Sequence, residues 1–442
     1  MANWSASQKT TSRKRLNDMS TVASVQNRPA AFIDVEAANK RLKNVVNQTP
    51  LMSNVTYSLT YDADILLKRE DLQTVRSYKI RGAYNKIISL LEHKPSLKHV
   101  VCASAGNHAQ GVAYTCRTLG IQAAVFMPVT TPQQKIEQVK MFGGDHVELV
   151  LYGDTFDAAQ QQAYTYSQIH NFPFIHPFDD PDIIAGQATI ATEILKQCQK
   201  NIDYVFVPIG GGGLASGILT VFKQLSPHTK IVGVEPSGAA SMAAALQSGH
   251  NTKLPNIDRF VDGAAVQQVG KHTLKVCQEL LDDVISVPDG LICQTILNLY
   301  NKDAIVVEPA GALSIAGMQQ YQDKIKGKRV VCILSGSNND ITRIEEIRER
   351  ALLFNGLKHY FLVRFPQRAG ALKEFVADVL GPADDITYFQ YQKKHNREHG
   401  PAVVGIELKR AEDFQPLMSR MKTGGFFNDY LNNQPELFSM LM

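Results

Sequence analysis

From about residue 31 to residue 350 the chain alternates short apolar runs with longer segments whose apolar residues recur at helical spacing. The runs Ile65–Lys68, Val100–Ala103, Ala123–Met127, His146–Val150, Tyr204–Pro208, Ile231–Val234 and Val330–Leu334 are bounded by Gly, Pro or Ser. They read as strands buried on both faces. Between them lie stretches of helical length such as Ile183–Gln197, in which Ala185, Ala188, Ile190, Ala191, Ile194 and Leu195 mark the packed side. This alternation predicts an α/β fold with largely parallel sheets covered by helices on both faces.

The pattern changes after Arg350. Lys358–Phe365 predicts a strand, Pro366–Gly370 a turn and Ala371–Leu380 a helix. Ile386–Gln392 and Ala402–Leu408 predict two strands around the polar turn Lys393–Gly400, with a helix near Asp413–Met421. That βαββα order describes a small α+β domain with an antiparallel sheet. The expected division is a leader over residues 1–30, a main unit over 31–350 with a smaller subdomain inserted at roughly 82–172, and a terminal unit over 356–442.

The leader is rich in Ser, Thr, Asn and Gln, and Lys9, Arg13, Lys14, Arg15 and Arg28 stand against the single acid Asp18. Its poor amphipathicity predicts a loosely ordered segment more than an organelle-targeting helix, and it carries the only tryptophan, Trp4. Elsewhere 44% apolar and 20% charged residues describe an ordinary globular protein, and a dispersed net charge of +4 gives no footprint for nucleic acid. No apolar stretch is long enough to span a bilayer. Six cysteines with no CxxC pair predict reduced, mostly buried thiols and a cytoplasmic setting.

Four segments carry chemistry, and three of them sit at strand ends, where ligands bind in open α/β sheets. Ser77-Tyr78-Lys79-Ile80-Arg81-Gly82-Ala83 places one lysine in an uncharged setting, with Arg81 either lowering its pKa or making a structural contact. Ser104-Ala105-Gly106-Asn107-His108 opens a helix after a strand, with amides and the Ser104 hydroxyl suited to a substrate carboxylate and Asn107 offering a donor to a ring oxygen. His108 is a candidate base, although a first-turn histidine is more often structural. Gly210, Gly211, Gly212, Gly213 and Leu214 lie between a strand and a helix, where consecutive amides surround one anion. Ser335 ends the last strand of the main unit.

A desolvated lysine amine, a helix start, a phosphate-sized glycine nest and a strand-end hydroxyl are together what pyridoxal 5'-phosphate requires. The glycine segment alone allows a rival. Gly210, Gly212 and Ala215 satisfy G-x-G-x-x-A, and Glu235 follows at the distance of a ribose-binding acid, as in a nicotinamide-dinucleotide oxidoreductase. That reading leaves the other three segments unexplained. A third reading, a catalytically silent amino-acid sensor, is opposed by intact Lys79 and Ser335.

Together the four segments, with Lys68-Arg69-Glu70-Asp71, resemble the fold-type II pyridoxal-phosphate enzymes, and within them the biosynthetic threonine dehydratases. The resemblance implies a tryptophan synthase beta-like fold of two subdomains. It implies that Lys79 carries the Schiff base, Asn107 meets the ring hydroxyl, Gly210 to Leu214 hold the phosphate, and Ser335 meets the pyridine nitrogen. Ser104, Ala105, Gly106, Asn107 and His108 then bind the substrate. The implied reaction is deamination of L-threonine to 2-oxobutanoate and ammonia, the first step of isoleucine biosynthesis, with a serine dehydratase of the same family as the alternative. The terminal unit resembles a single ACT-like regulatory domain, implying isoleucine as effector and a homo-oligomer, a tetramer by family resemblance. Ala105 stands where serine racemases of the family carry a second serine. Glu235 has no second carboxylate nearby in sequence, so no metal site is expected, and Glu308 in Val307-Glu308-Pro309 is either a helix cap or a group near the cofactor.

Overall fold

The structure, a computed structural model, describes residues 33–391 and 398–434; the leader with Trp4 and most of the turn Lys393–Gly400 lie outside the described residues. The strands are β1 Leu51–Ser53, β2 Asp64–Arg69, β3 His99–Ala103, β4 Gln122–Met127, β5 Val147–Leu151, β6 Tyr204–Pro208, β7 Lys230–Pro236, β8 Asp283–Val287, β9 Arg329–Leu334, β10 Lys358–Pro366, β11 Asp385–Tyr391, β12 His399–Glu407 and β13 Phe427–Tyr430. They form three sheets with strand orders β1-β2-β9-β6-β7-β8, β3-β4-β5 and β11-β12-β10-β13. The first two sheets are parallel apart from the antiparallel edge strand β1, and the third is antiparallel.

Period-two alternation along buried strands divides the largest sheet's side chains between two cores. Phe206, Val232, Val234, Cys332 and Leu334 face one core with Ile292, Ile296 and Leu313 from the helices Asp289–Asp303 and Pro309–Met318. Val205, Val207, Ile231, Val331 and Ile333 face the other, with Ile190, Ile194, Ile218 and Phe222 from the helices Pro181–Gln197 and Gly213–Leu225. Both faces are covered, which is why these strands read as continuous apolar runs. Strands β1 and β8 lack such runs and escape the sequence pattern because they are partly exposed edges. The terminal unit gains a strand over the predicted order, βαββαβ, because polar Phe427–Tyr430 pairs with β10 at the sheet edge. Its first helix is α-helical over Ala371–Glu374 and continues as a π-turn through Phe375–Val379.

A helix Ile344–Phe354 joins the two units and is anchored to both. On the main unit, the Arg343 and Arg350 guanidinium groups both lie over the Phe260 ring, 4.9 and 4.2 Å from its centroid. On the terminal unit, Arg348 makes 2.8 and 2.9 Å bonds to the Glu407 carboxylate, and the Tyr360 hydroxyl donates to Glu349 at 2.5 Å.

Arg81 is a structural contact. It is fully buried and donates to both Glu70 oxygens at 2.8 Å, while Glu193 accepts from it at 2.7 and 2.9 Å and from Lys68 at 2.6 Å. Burial opposes ionisation of Glu70, but the Arg81 guanidinium outweighs it and holds the carboxyl below its usual range. Removing one partner of such a cluster leaves a buried charge unmatched. Arg81→Met is therefore expected to lower unfolding stability by about 3–5 kcal/mol in urea titration, whereas a loss under about 1 kcal/mol would place the cluster with weak surface pairs.

Candidate active site

The chain reaches Lys79 through a left-handed turn at Arg76, φ 58°, and a short antiparallel bridge between Ser77 and Gly336. The Tyr78 amide donates to the Ser335 carbonyl at 3.1 Å, and the Ser337 amide to the Arg76 carbonyl at 2.9 Å. The lysine and the strand-end serine are thereby tied together by backbone. Lys79 opens the helix Lys79–His93, and its Nζ donates to the Pro177 carbonyl at 2.9 Å. Burial lowers its pKa to about 8, partly opposed by Glu308. Arg81 has no part in that shift.

Lys79, Ser104, Ala105, Gly106, Asn107, His108, Gly210, Gly211 and Ser335 line one cavity of about 600 Å³ between the largest sheet and the three-stranded sheet. Gly212, Gly213 and Leu214 lie behind this wall, in the first turn of the helix Gly213–Leu225. The first N–H groups of a helix have no intrahelical acceptor. Here the Ser216 amide is the one that bonds back, to the Gly212 carbonyl at 2.9 Å. Gly212 sits at φ 90°, which an L side chain resists, and a Cβ at Gly211 would lie 2.3 Å from the Phe178 ring.

Phe178 belongs to Ile175–Asp179, a segment without a motif that sequence reasoning missed. The Ile175 carbonyl contacts His108 Nε2 at 2.9 Å, and His176 Nδ1 accepts from the Phe178 and Asp179 amides at 3.2 and 2.7 Å. The Asp179 carboxylate caps the helix Lys271–Leu280 through the amides of Lys271, His272 and Thr273. Thr273 Oγ1 then donates to the Gly211 carbonyl at 2.7 Å, which locks the glycine loop from outside. The available signal was Asp180-Pro181, a capped helix start directly after this segment.

Burial holds His108 down at about 3, so it stays neutral and braces this segment instead of carrying protons near neutrality. Sequence reasoning also missed Lys135 and Asp262, which form an ion pair across the cavity between the two subdomains. Glu308 is buried at the N-cap of the helix Pro309–Met318, yet its side chain caps nothing there. Its Oε1 accepts from Asn107 Nδ2 at 2.6 Å, and burial raises its pKa to about 7, with Asp262 adding to the rise. Glu235 is likewise raised to about 7 by burial, and its carboxylate accepts from the amides of Met242 and Ala243 at 2.7 and 2.8 Å. Glu235 thus caps a helix and is fully buried, outside the lining of the cavity, where no ribose reaches it. Among the described residues no group of three or more His, Cys, Asp or Glu side chains converges as a metal site.

Residues 42–336 match the family model of pyridoxal-phosphate dependent enzymes, and residues 349–441 match the C-terminal regulatory domain of threonine dehydratase. The protein named L-threonine dehydratase biosynthetic IlvA from Halalkalibacterium halodurans is 54% identical over 409 residues, 92% of this chain and 98% of its own length. The chain belongs to the threonine dehydratase family. The protein of the same name from Bacillus subtilis is 51% identical over 405 residues, 92% of this chain and 96% of its own. Among solved structures, the processed form of threonine deaminase isoform 2 from Solanum lycopersicum has a TM-score of 0.69 at 44% identity, covering 72% of this chain and 87% of that one. Maize serine racemase has a TM-score of 0.67 at 30% identity, covering 73% and 98%.

As a threonine dehydratase family member the enzyme uses pyridoxal 5'-phosphate, and the dinucleotide reading of the glycine run is overturned. The cavity fits that group. It presents a desolvated amine, an anion-sized helix start, a strand-end hydroxyl and one buried amide oxygen, Asn338 Oδ1, that has no partner. All six cysteines carry free thiols and five are buried. Among the described residues no helix is long and apolar enough to cross a membrane.

Glu308 gives a test by linkage. With its folded pKa at about 7 against an ordinary 4.5, the folded state holds a proton that the unfolded state releases, so stability falls as pH rises through that window. In the cofactor-free protein, Glu308→Gln is expected to remove a decline of about 3 kcal/mol between the two values, read by denaturant titration at each pH. Parallel stability-against-pH curves for the variant and its parent would refute the assignment.

Proposed function

We propose that the enzyme deaminates L-threonine to 2-oxobutanoate and ammonia by α,β-elimination of the hydroxyl, as the first step of isoleucine biosynthesis in the cytoplasm. The observation that carries this reading is the low-pKa Lys79 amine, tied by backbone to Ser335 and sharing one cavity with the Ser104–His108 helix start. Residues 31–350 form the catalytic unit in this reading and residues 356–442 the regulatory one. The bound cofactor, joined to Lys79, supplies the conjugated sink for charge that develops at the substrate Cα.

The protein's own groups do the rest. Lys79 Nζ, its pKa brought down to about 8 by burial, takes the Cα proton in its neutral form, and the Pro177 carbonyl orients it. Ser104, Ala105, Gly106, Asn107 and His108 form the carboxylate-binding turn, with the Ser104 hydroxyl accepting from the Gly106 amide at 3.2 Å. Asn107 offers an amide N–H to the ring oxygen, and Gly210 to Leu214 supply the amides for the phosphate. Ser335 would place a neutral hydroxyl at the ring nitrogen, which would not hold that nitrogen protonated and would favour prompt loss of the β-hydroxyl. Ala105 offers no acid or base on the opposite face, which disfavours racemisation. Water lost in the elimination is regained when the released imine hydrolyses, so atoms balance for threonine, and equally for serine as a lesser substrate.

Lys79→Ala is expected to fold, to lose the visible absorption of lysine-bound cofactor, and to lose threonine turnover by about 10³-fold or more. Near-parental 2-oxobutanoate release from that variant would end this reading. Isoleucine is the proposed effector of the terminal unit, acting in a homo-oligomer, a tetramer in this reading, by a coupling of about 1–3 kcal/mol between sites. The match to a regulatory-domain family and the doubly anchored helix Ile344–Phe354 support it. Truncation after Asn355 should leave threonine turnover largely intact and abolish isoleucine inhibition. Full isoleucine sensitivity in the truncated enzyme would move the effector site into the catalytic unit.

A further inference from the structure

Four groups from four segments form a chain of hydrogen bonds across the cleft between the subdomains. It starts on the backbone carbonyl of Val75, which accepts from Asn338 Nδ2 at 2.9 Å. The same Asn338 Nδ2 donates to Asn107 Oδ1 at 2.6 Å, and Asn107 Nδ2 donates to Glu308 Oε1 at 2.6 Å. Asn107 opens the helix Asn107–Leu119 behind β3 of the three-stranded sheet, whereas Val75, Glu308 and Asn338 belong to the larger subdomain.

Each amide in the chain has one workable orientation. A flipped Asn338 would place its oxygen against the Val75 carbonyl, and a flipped Asn107 would place its oxygen against Glu308 and its nitrogen against the Asn338 nitrogen. Direction therefore passes from a backbone carbonyl, which cannot rotate away, to the Asn107 side chain. A primary amide nitrogen carries two hydrogens, and Glu308 takes one of those on Asn107. The second remains for the cavity, which Asn107 and Asn338 both line.

We propose that Asn338 is a positioning residue for this reaction: its amide fixes the Asn107 amide so that an N–H, and not the oxygen, faces the cofactor ring. The inference rests on the reading that Asn107 meets that ring. It also explains why Asn338 follows Ser335 so closely, since one strand end then sets both the group at the ring nitrogen and the aim of the group at the ring oxygen.

The test uses full-length holoenzyme carrying Asn338→Ala, Asn338→Asp, Asn107→Ala and the double alanine variant. The readouts are the visible absorption of bound cofactor across pH, and kcat and KM for threonine. Both Asn338 variants are expected to shift the visible band or its pH midpoint in the direction that Asn107→Ala does. They should lower kcat about tenfold to a hundredfold, as misaimed groups do, with a smaller change in KM. Residues that act through one another are non-additive, so the double variant should match Asn107→Ala within about twofold. Parental spectra and kcat in Asn338→Asp, or losses that multiply in the double variant, would overturn the proposal. Should Asn338→Ala fail to fold, Asn338→Asp carries the test, because it keeps the side chain's shape and puts an accepting carboxylate oxygen in place of the donating amide nitrogen. An unmoved band in Asn107→Ala would sink the reading of Asn107 and this proposal with it. A band moved by Asn107→Ala but by neither Asn338 variant would overturn this proposal alone.

Discussion

An amine whose pKa is brought down toward physiological pH has to be withdrawn from water and from other uncompensated charge, and the Lys79 helix meets both demands within three residues. Lys79 and Arg81 are two apart on one helix and so do not face each other. The Arg81 charge is spent on Glu70 and Glu193, with Lys68 completing a cluster of two cations and two anions. A second cation close to Lys79 is thus electrically quiet. The cluster anchors the helix start and leaves burial to set the lysine's protonation.

The remaining groups reach the cavity because parallel strands deliver their carboxyl ends to one place. β6 leads into the glycine run, β9 ends directly before Ser335, and β3 leads to the turn at Ser104. None of these groups relies on its own loop for rigidity. Phe178 and Thr273 back the glycines, the Ser77–Gly336 bridge backs Lys79, and Glu308 with Asn338 backs Asn107. The cavity is therefore a meeting of two subdomains, closed in part by the Lys135–Asp262 ion pair.

What the sequence disclosed followed its physics. Strands buried on both faces announce themselves as apolar runs, so the interior strands of both parallel sheets were legible, while the exposed edges β1, β8 and β13 were not. Lys79, Asn107, the glycines and Ser335 were legible because each sits where a strand gives way to a helix or a turn, with a residue type that suits a ligand. The segment Ile175–Asp179 was illegible because its contacts to Lys79 and His108 are made by backbone carbonyls, which every residue owns. Glu308 was visible as a residue and ambiguous in role; only the contact with Asn107 separates it from an ordinary cap. Arg81 was ambiguous for the opposite reason, since a buried ion cluster and a pKa-lowering neighbour share the same residue types.

The order of strands in the largest sheet also governs how the chain acquires this site. β9 lies between β2 and β6, so Asp64–Arg69 waits for its partner Arg329–Leu334, which arrives near the end of the catalytic unit. Pairing of such distant segments is slow, and until it occurs the strands already made expose unpaired edges. Lys79 and Ser335 flank that final seam. A chain terminated before β9 thus has no half-active form: the last strand of this sheet to be synthesised is the one that seals it and completes the cavity.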